Sequence, residues 1–362
     1  MTLFNNAYKG KRVFITGHTG FKGSWLALWL KSLGAEVAGY ALAPSTTPNH
    51  LDVLSLEMHS ILADIRNKEK IAGEMQVFQP DIVFHLAAQP LVRYSYAEPS
   101  ETYETNVIGT LNVLESCRNT ASVKAVVCVT TDKVYENIES SEGYIETDRL
   151  GGYDPYSSSK ACTEILTHSY VSSFFNPKDF GIKHNTLIAT ARGGNVIGGG
   201  DWSEDRLIPD IAKTMDTGKM LAIRNPGNVR PWQHVLDCMS GYLLLGHKLL
   251  EGNKSYSGPW NFGPTETDLV TVKNIVQIAK KYFPSLSVKF GEASLHETET
   301  LQLNCNKAFN QLNWKPIWGR EIMFEKTFEW YKEFYLEQKV NTEKQLEDYL
   351  KAAVKEKLSW VK

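Results

Sequence analysis

Short apolar runs alternate with longer stretches of helical period through the first half of the chain. Runs at Arg12 to Thr16, Ala35 to Tyr40, Ile61 to Asp64, Asp81 to Ala88, Lys124 to Thr131 and Asn185 to Arg192 predict six strands. A helical pattern follows each strand, which is the rhythm of an α/β fold, a Rossmann-type doubly wound parallel sheet. FIT, VVCV and LIAT are apolar on both faces, as strands between two helical layers must be. After Arg192 the pattern breaks into GGNVIGGGDW and a loop-rich, Pro- and Trp-containing stretch through Trp260, which predicts a smaller substrate-binding domain. Residues 1–190 are expected to form a dinucleotide domain, rejoined by the chain around 230–262, and residues 191–362 mainly the second domain. From Asn341, read as an N-cap, Leu346, Tyr349, Leu350, Ala353, Val354 and Leu358 recur at helical spacing and predict a C-terminal helix.

Composition narrows the function without disturbing that picture. The 362 residues are 42% hydrophobic and 22% charged, which excludes disordered, collagenous and coiled-coil classes. With 39 Lys+Arg against 41 Asp+Glu the charge is -2, so no net field attracts a polyanion and nucleic acid is not an expected partner. No apolar run reaches signal-peptide or membrane-span length, and a cytoplasmic location is expected. Cys117, Cys128, Cys162, Cys238 and Cys305 are scattered and never form CxxC, so reduced thiols are expected, with neither disulfides nor a metal site.

The first chemical signal is TGHTGFKG. Gly17, Gly20 and Gly23 fall between the first strand and a helix predicted over Ser24 to Ser32, where glycines permit a tight turn and a helix N-terminus receives a pyrophosphate. His18, Thr19, Phe21 and Lys22 complete this loop. His18 and Lys22 read equally as solvated surface or as cofactor contacts. The second strand ends Gly39, Tyr40, Ala41, Leu42 where an acid usually grips the ribose, and Glu36 comes too early. No Arg stands there for a 2′-phosphate either. NAD is therefore the expected cofactor, held less tightly than usual, with Asp64 and Ile65 on its adenine side.

The second signal is Tyr156 and Lys160 in YSSSK, on a helix opened by Pro155. The spacing stacks both on one face, where an ammonium favours phenolate and makes Tyr156 a base for an alcohol proton. Spacing alone proves little, because Tyr335 and Lys339 repeat it beside no glycine loop. What raises Tyr156 is the strand ending at Thr131, which delivers Thr130, Thr131, Asp132 and Lys133 to the edge where α/β ligands bind.

TGHTGFKG, HLAAQ, TNVIGTLNVLE, TTDKVYE and YSSSK together resemble the extended short-chain dehydrogenase/reductase family over most of the chain. Where plain epimerases of that family carry small Ser or Thr residues, this chain has Asp132 and Lys133. That pair is similar to the sugar-nucleotide 4,6-dehydratases, the CDP-linked branch in particular, as are ARGGNVIGGGDW, DRLIPD and VRPWQHVLD. Lys133 departs from the usual Glu. The resemblance implies an internal redox dehydration in which Tyr156 takes the O4 proton beside Thr131, Lys133 the C5 proton, and Asp132 protonates the leaving O6. It implies cofactor contacts from Leu86, Ala87, Ala88, Gln89, Asn106, Thr130, Tyr156 and Lys160, with Asn106 also read as scaffold. It implies a nucleotide-sugar substrate held by Arg93, Arg192, Asn195, Arg206 and Arg230, and a homodimer or higher homo-oligomer through the helices after Pro99 and Pro155. A 4-epimerase and a non-catalytic dinucleotide-binding protein are the competing readings.

Overall fold

The computed structural model describes all residues except 141, 224–225, 228, 265–269 and 292–300, and only the backbone of Asp216, Val229 and Arg230. The first half alternates β1 (Arg12–Thr16), α1 (Phe21–Ser32), β2 (Glu36–Ala41), β3 (His59–Leu62), α2 (Lys68–Phe78), β4 (Ile82–His85), α3 (Gly109–Arg118), β5 (Ala125–Val129), α4 (Pro155–Ser173) and β6 (Leu187–Gly193). After α5 (Leu207–Thr217) and α6 (Val235–Leu250), β7 (Gly258–Phe262) pairs with β6. The seven strands form one parallel sheet in the order β7-β6-β5-β4-β1-β2-β3. Chain direction across the sheet reverses between β1 and β4, and the crevice beyond their carboxyl ends is the place for a ligand.

Strand periodicity divides the core. Val13, Ile15, Val127 and Val129 point to the face covered by α1 and α6, while Phe14, Val126 and Cys128 point to the face covered by α2, α3 and α4. The third strand lies two residues earlier than its apolar run suggests, with Ala38 opposite His59 and Ala41 opposite Leu62. Asp64 therefore sits in the loop beyond it. At this sheet edge, register with β2 outweighs local β-propensity.

The second lobe is built on α7 (Val272–Tyr282) and α8 (Arg320–Glu337), whose Ile275, Phe324, Phe328 and Trp330 share a core with Ile208 and Ile211 of α5. The closing helix α9 (Thr342–Lys355) was expected with this lobe; it touches α8, where Gln345 donates to the Lys326 carbonyl, and also packs against the sheet. Its Leu346, Tyr349, Leu350 and Ala353, with Leu358 and Trp360 beyond it, join the α1 and α6 side of the sheet core, because its apolar stripe meets Trp29 and Trp318. Val354 stays exposed, and Asn341 occupies the N-cap position without a side-chain cap. Buried Asp237 of α6 latches this segment, accepting from the Ile317 amide at 2.6 Å and the Tyr349 hydroxyl at 2.8 Å. Burial pushes its carboxyl up to about 7.

A glycine strap joins the lobes. The Gly199 carbonyl accepts from Trp25 Nε1 at 2.9 Å, and Gly199 and Gly200 lie against Trp330 and His50 so closely that a Cβ on either would run into the ring. His50 bonds Ser24 of α1 at 2.8 Å and Thr342 of α9 at 3.0 Å.

Candidate active site

Four residues turn the chain from β1 into α1. Gly17, at φ +80°, passes the backbone of Ala87, where a Cβ would lie 2.7 Å from the amide nitrogen. At Gly23 a Cβ would run into the Gly17 carbonyl. Gly20 meets nothing nearer than 3.5 Å and caps α1 without a side chain, so the positive end of the helix is available to an anion. Thr16 bonds His85 at 2.6 Å and accepts from the Ala87 amide at 3.2 Å, fastening the Leu86, Ala87, Ala88 loop beside the glycines. This cradle fits the pyrophosphate of a dinucleotide.

Several side chains read as cofactor contacts are committed to protein partners. His18 is neither solvated surface nor open to a ligand. Its ring is buried against Gly39, its Nε2 bonds Ser60 at 2.7 Å, and burial lowers its pKa to about 4. Thr19 donates to the Leu42 carbonyl at 2.9 Å. Tyr40 fills the usual place of the ribose-gripping acid and sends its hydroxyl to the Asp64 carbonyl at 2.9 Å. The Asp64 carboxylate is taken by Arg66 at 2.6 and 2.9 Å. Burial pushes that carboxyl up, but Arg66 outweighs burial and holds it below its ordinary value. Ile65 is buried in the opposite-face core beside Gly109. Asn106 acts as scaffold rather than ligand, donating to Gln89 O and Ser159 and accepting from the Gln89 amide. The Gln89 side chain is spent on Leu91 and Thr102, and the Thr130 hydroxyl on Glu164 at 2.5 Å. Lys22, half-buried, lies with its ammonium 6.0 Å from the centre of the Tyr242 ring.

At the ends of β5 and β6 the catalytic candidates converge. Thr131 caps a short turn, Asp132–Val134, and donates to Asp132 Oδ1 at 2.9 Å. The other Asp132 oxygen lies beside Gly194, 3.2 Å from where a Cβ would stand. Lys133 is half-buried on the same turn. Asp154 caps α4 by accepting from the Ser157 amide, which starts the helix so that Tyr156 faces Thr131. Burial pushes the Tyr156 phenol up to about 12, against opposing contributions from a hydrogen bond with Thr131 and the charge of Arg206. The Lys160 ammonium donates to the Val129 carbonyl at 3.0 Å. Burial brings Lys160 itself down to about 8.

The arginines divide. Arg192, expected at a phosphate, is 2% exposed and ion-pairs with Glu164 at 2.9 Å, so it belongs to the interior. Arg93 meets Asp205 at 3.0 Å and Arg206 meets Asp201 at 3.9 Å, both partly exposed. Asn195 is half-buried in a strand, Asn195–Ile197, beside Trp232–His234. Arg230 pairs through its backbone with Val270, and its side chain lies outside the described residues. Sequence reasoning missed Glu164 and Tyr135, which hold Arg192. Glu164 carries a signal, since it continues the i, i+4 series of Tyr156 and Lys160; Tyr135 carries none.

An anion-ready glycine cradle and a Tyr/Lys pair at the crevice of a parallel sheet define an enzyme of the short-chain dehydrogenase/reductase class. The chain belongs to the GDP-mannose 4,6 dehydratase family, whose profile matches residues 14–327. It is 44% identical over 356 residues to CDP-glucose 4,6-dehydratase of Salmonella typhimurium, covering 97% of this chain and 99% of that one. It is 29% identical over 342 residues to a trifunctional UDP-glucose 4,6-dehydratase of Arabidopsis thaliana, covering 90% and 48%. Among solved structures, Pal from Bacillus thuringiensis superposes with a TM-score of 0.76 at 25% identity, covering 89% and 99%. The dTDP-glucose 4,6-dehydratase DesIV from Streptomyces venezuelae, with NAD and TYD bound, gives 0.75 at 24%, covering 89% and 97%. The expected fold and the expected class, a hydro-lyase of the 4,6-dehydratase branch, are borne out.

Proposed function

We propose that the chain dehydrates CDP-glucose to CDP-4-keto-6-deoxyglucose with NAD as resident cofactor, for deoxysugar synthesis of the O-antigen type. The observation that carries this is Asp132, a carboxyl placed beside Thr131 and Tyr156, which a 4-epimerase has no use for. The near full-length identity to a CDP-glucose 4,6-dehydratase supports the choice of nucleotide.

NAD, when bound, would supply the hydride acceptor for C4 and the hydride donor for C6. The glycine loop holds the pyrophosphate through backbone amides, and Lys160 reaches the nicotinamide ribose. Tyr156 accepts the O4 proton as C4 is oxidised, which requires the phenolate, so the positive charges of Lys160 and of the bound nicotinamide would have to bring down a phenol that burial holds at about 12. The new ketone acidifies C5, whose proton passes to Lys133 as the neutral amine, Asp132 in its protonated form gives its proton to O6 so that water leaves, and Lys133 returns its proton to C5 as C6 is reduced. Arg93, Arg206, Arg230 and Asn195 hold the diphosphate, Arg93 and Arg206 exchanging Asp205 and Asp201 for it.

Exposed apolar side chains on the helices after Pro99 and Pro155, Ile108 at 47%, Ile165 at 57% and Phe174 at 47%, support a homodimer through that face. Five free cysteines support a reducing, cytoplasmic setting. Mass spectrometry after incubation with a panel of nucleotide-glucoses tests the reading. The expected product is CDP-glucose less one water, with no net reduction of NAD. Conserved mass would establish an epimerase instead, and no turnover of any sugar would leave a binding protein.

A further inference from the structure

One helical turn beyond Lys160, a buried carboxylate joins the two halves of the candidate site. Glu164 continues the face of α4 that carries Tyr156 and Lys160. It accepts from Thr130 Oγ1 at 2.5 Å, Thr190 Oγ1 at 2.7 Å and Arg192 Nη2 at 2.9 Å. Both charged side chains are 3% exposed. The neighbours of these partners matter most. Thr130 directly precedes Thr131 and Asp132, and Arg192 directly precedes Gly193 and Gly194, on which Asp132 rests. Arg192 Nη1 also donates to the Tyr135 hydroxyl at 2.7 Å and the Glu146 carbonyl at 3.1 Å, reaching the far end of the Asp132–Val134 turn.

A buried ion pair is a poor way to gain stability, since desolvation offsets much of its attraction and an apolar pair packs as well. What it supplies is direction, through several charge-assisted bonds at fixed geometry. Resting on the assignment of the chemistry to Thr131, Asp132, Tyr156 and Lys160, we propose that Glu164 and Arg192 are positioning residues. Their ion pair clamps the strand ends bearing Thr131 and Asp132 to the helix bearing Tyr156 and Lys160, and sets the Glu164 carboxylate one helical turn from the Lys160 ammonium. Burial lowers Lys160; Cys128 and then Glu164 oppose that lowering, and the Lys22 ammonium adds to it.

The test is the pH dependence of C4 oxidation in single turnovers with CDP-glucose and NAD, read by nicotinamide absorbance. Loss of the Lys160 proton sets the alkaline limb. Glu164→Gln removes a charge that favours the ammonium, so the limb moves to lower pH, and loosened geometry lowers the plateau by about 10²-fold. Glu164→Asp keeps the charge and retains the parent limb while losing rate. Glu164→Gln combined with Arg192→Met leaves no unpaired guanidinium, so it melts closer to the parent than Glu164→Gln alone, and because a cation is lost with the carboxylate it shows a smaller limb shift in the same direction. Where Glu164→Gln fails to fold, the double variant decides. A parent limb in both would overturn the proposal. Tyr156→Phe in the same assay separates the two claims: if it still oxidises C4, the underlying assignment fails, whereas an inert Tyr156→Phe beside an unmoved limb sinks the clamp alone.

Discussion

The two flanks of the sheet use their loop side chains in opposite ways. On the β1, β2 and β3 flank, His18, Tyr40 and Asp64 are tied to Ser60, the Asp64 carbonyl and Arg66, and what faces a ligand is backbone and the end of a helix. On the β5 and β6 flank, Thr131, Asp132 and Tyr156 present functional groups to one another. A pyrophosphate is recognised by amides any sequence can offer if glycine permits the approach, whereas proton transfer needs particular groups at particular atoms. The first flank should therefore fail through shape and the second through chemistry.

The largest effect should come from Tyr156→Phe, which leaves O4 without its base and abolishes C4 oxidation, so that no reduced nicotinamide signal rises in a single turnover. Asp132→Asn should leave that signal intact and slow elimination by about 10² to 10⁴, the usual worth of one general acid. Reduced cofactor then accumulates; dehydration at the parent rate would make Asp132 a mere strand-end charge. Gly23→Ala tests the other flank. Its methyl would meet the Gly17 carbonyl, so NAD binding measured by calorimetry should be lost and unfolding free energy should fall by about 2 kcal/mol.

The smallest effect lies outside both flanks, at Asp237. Its folded pKa is raised, so the protonated form is favoured in the native state. The associated stability is complete below the ordinary carboxylate range and is lost as pH rises through about 7. Asp237→Asn should flatten that loss, narrowing the melting difference between pH 5 and pH 8 by a few degrees. An unchanged difference would show that the latch holding α9 does not titrate there.

The parallel sheet was legible because β1, β5 and β6 are apolar on both faces, a pattern set by burial alone. Tyr156 was legible because a helix start, a fixed spacing and a strand end coincide. Arg192 was misread for a reason local pattern cannot repair. Its partner Glu164 is 28 residues away, and only the packed structure shows that the guanidinium points inward. The C-terminal helix was found from its period, while the wall it covers depended on Trp29 and Trp318, which periodicity does not name.

The glycine strap has a mechanical consequence. Rotating one lobe against the other would drag Gly199 and Gly200 across Trp330 and His50 and break the bond from Trp25, three close fits that cannot slide independently. The molecule therefore has no hinge at this crossing. Just beyond the strap, Arg93 pairs with Asp205, and Arg206 with the buried carboxylate of Asp201. The strap acts as a bolt between the lobes.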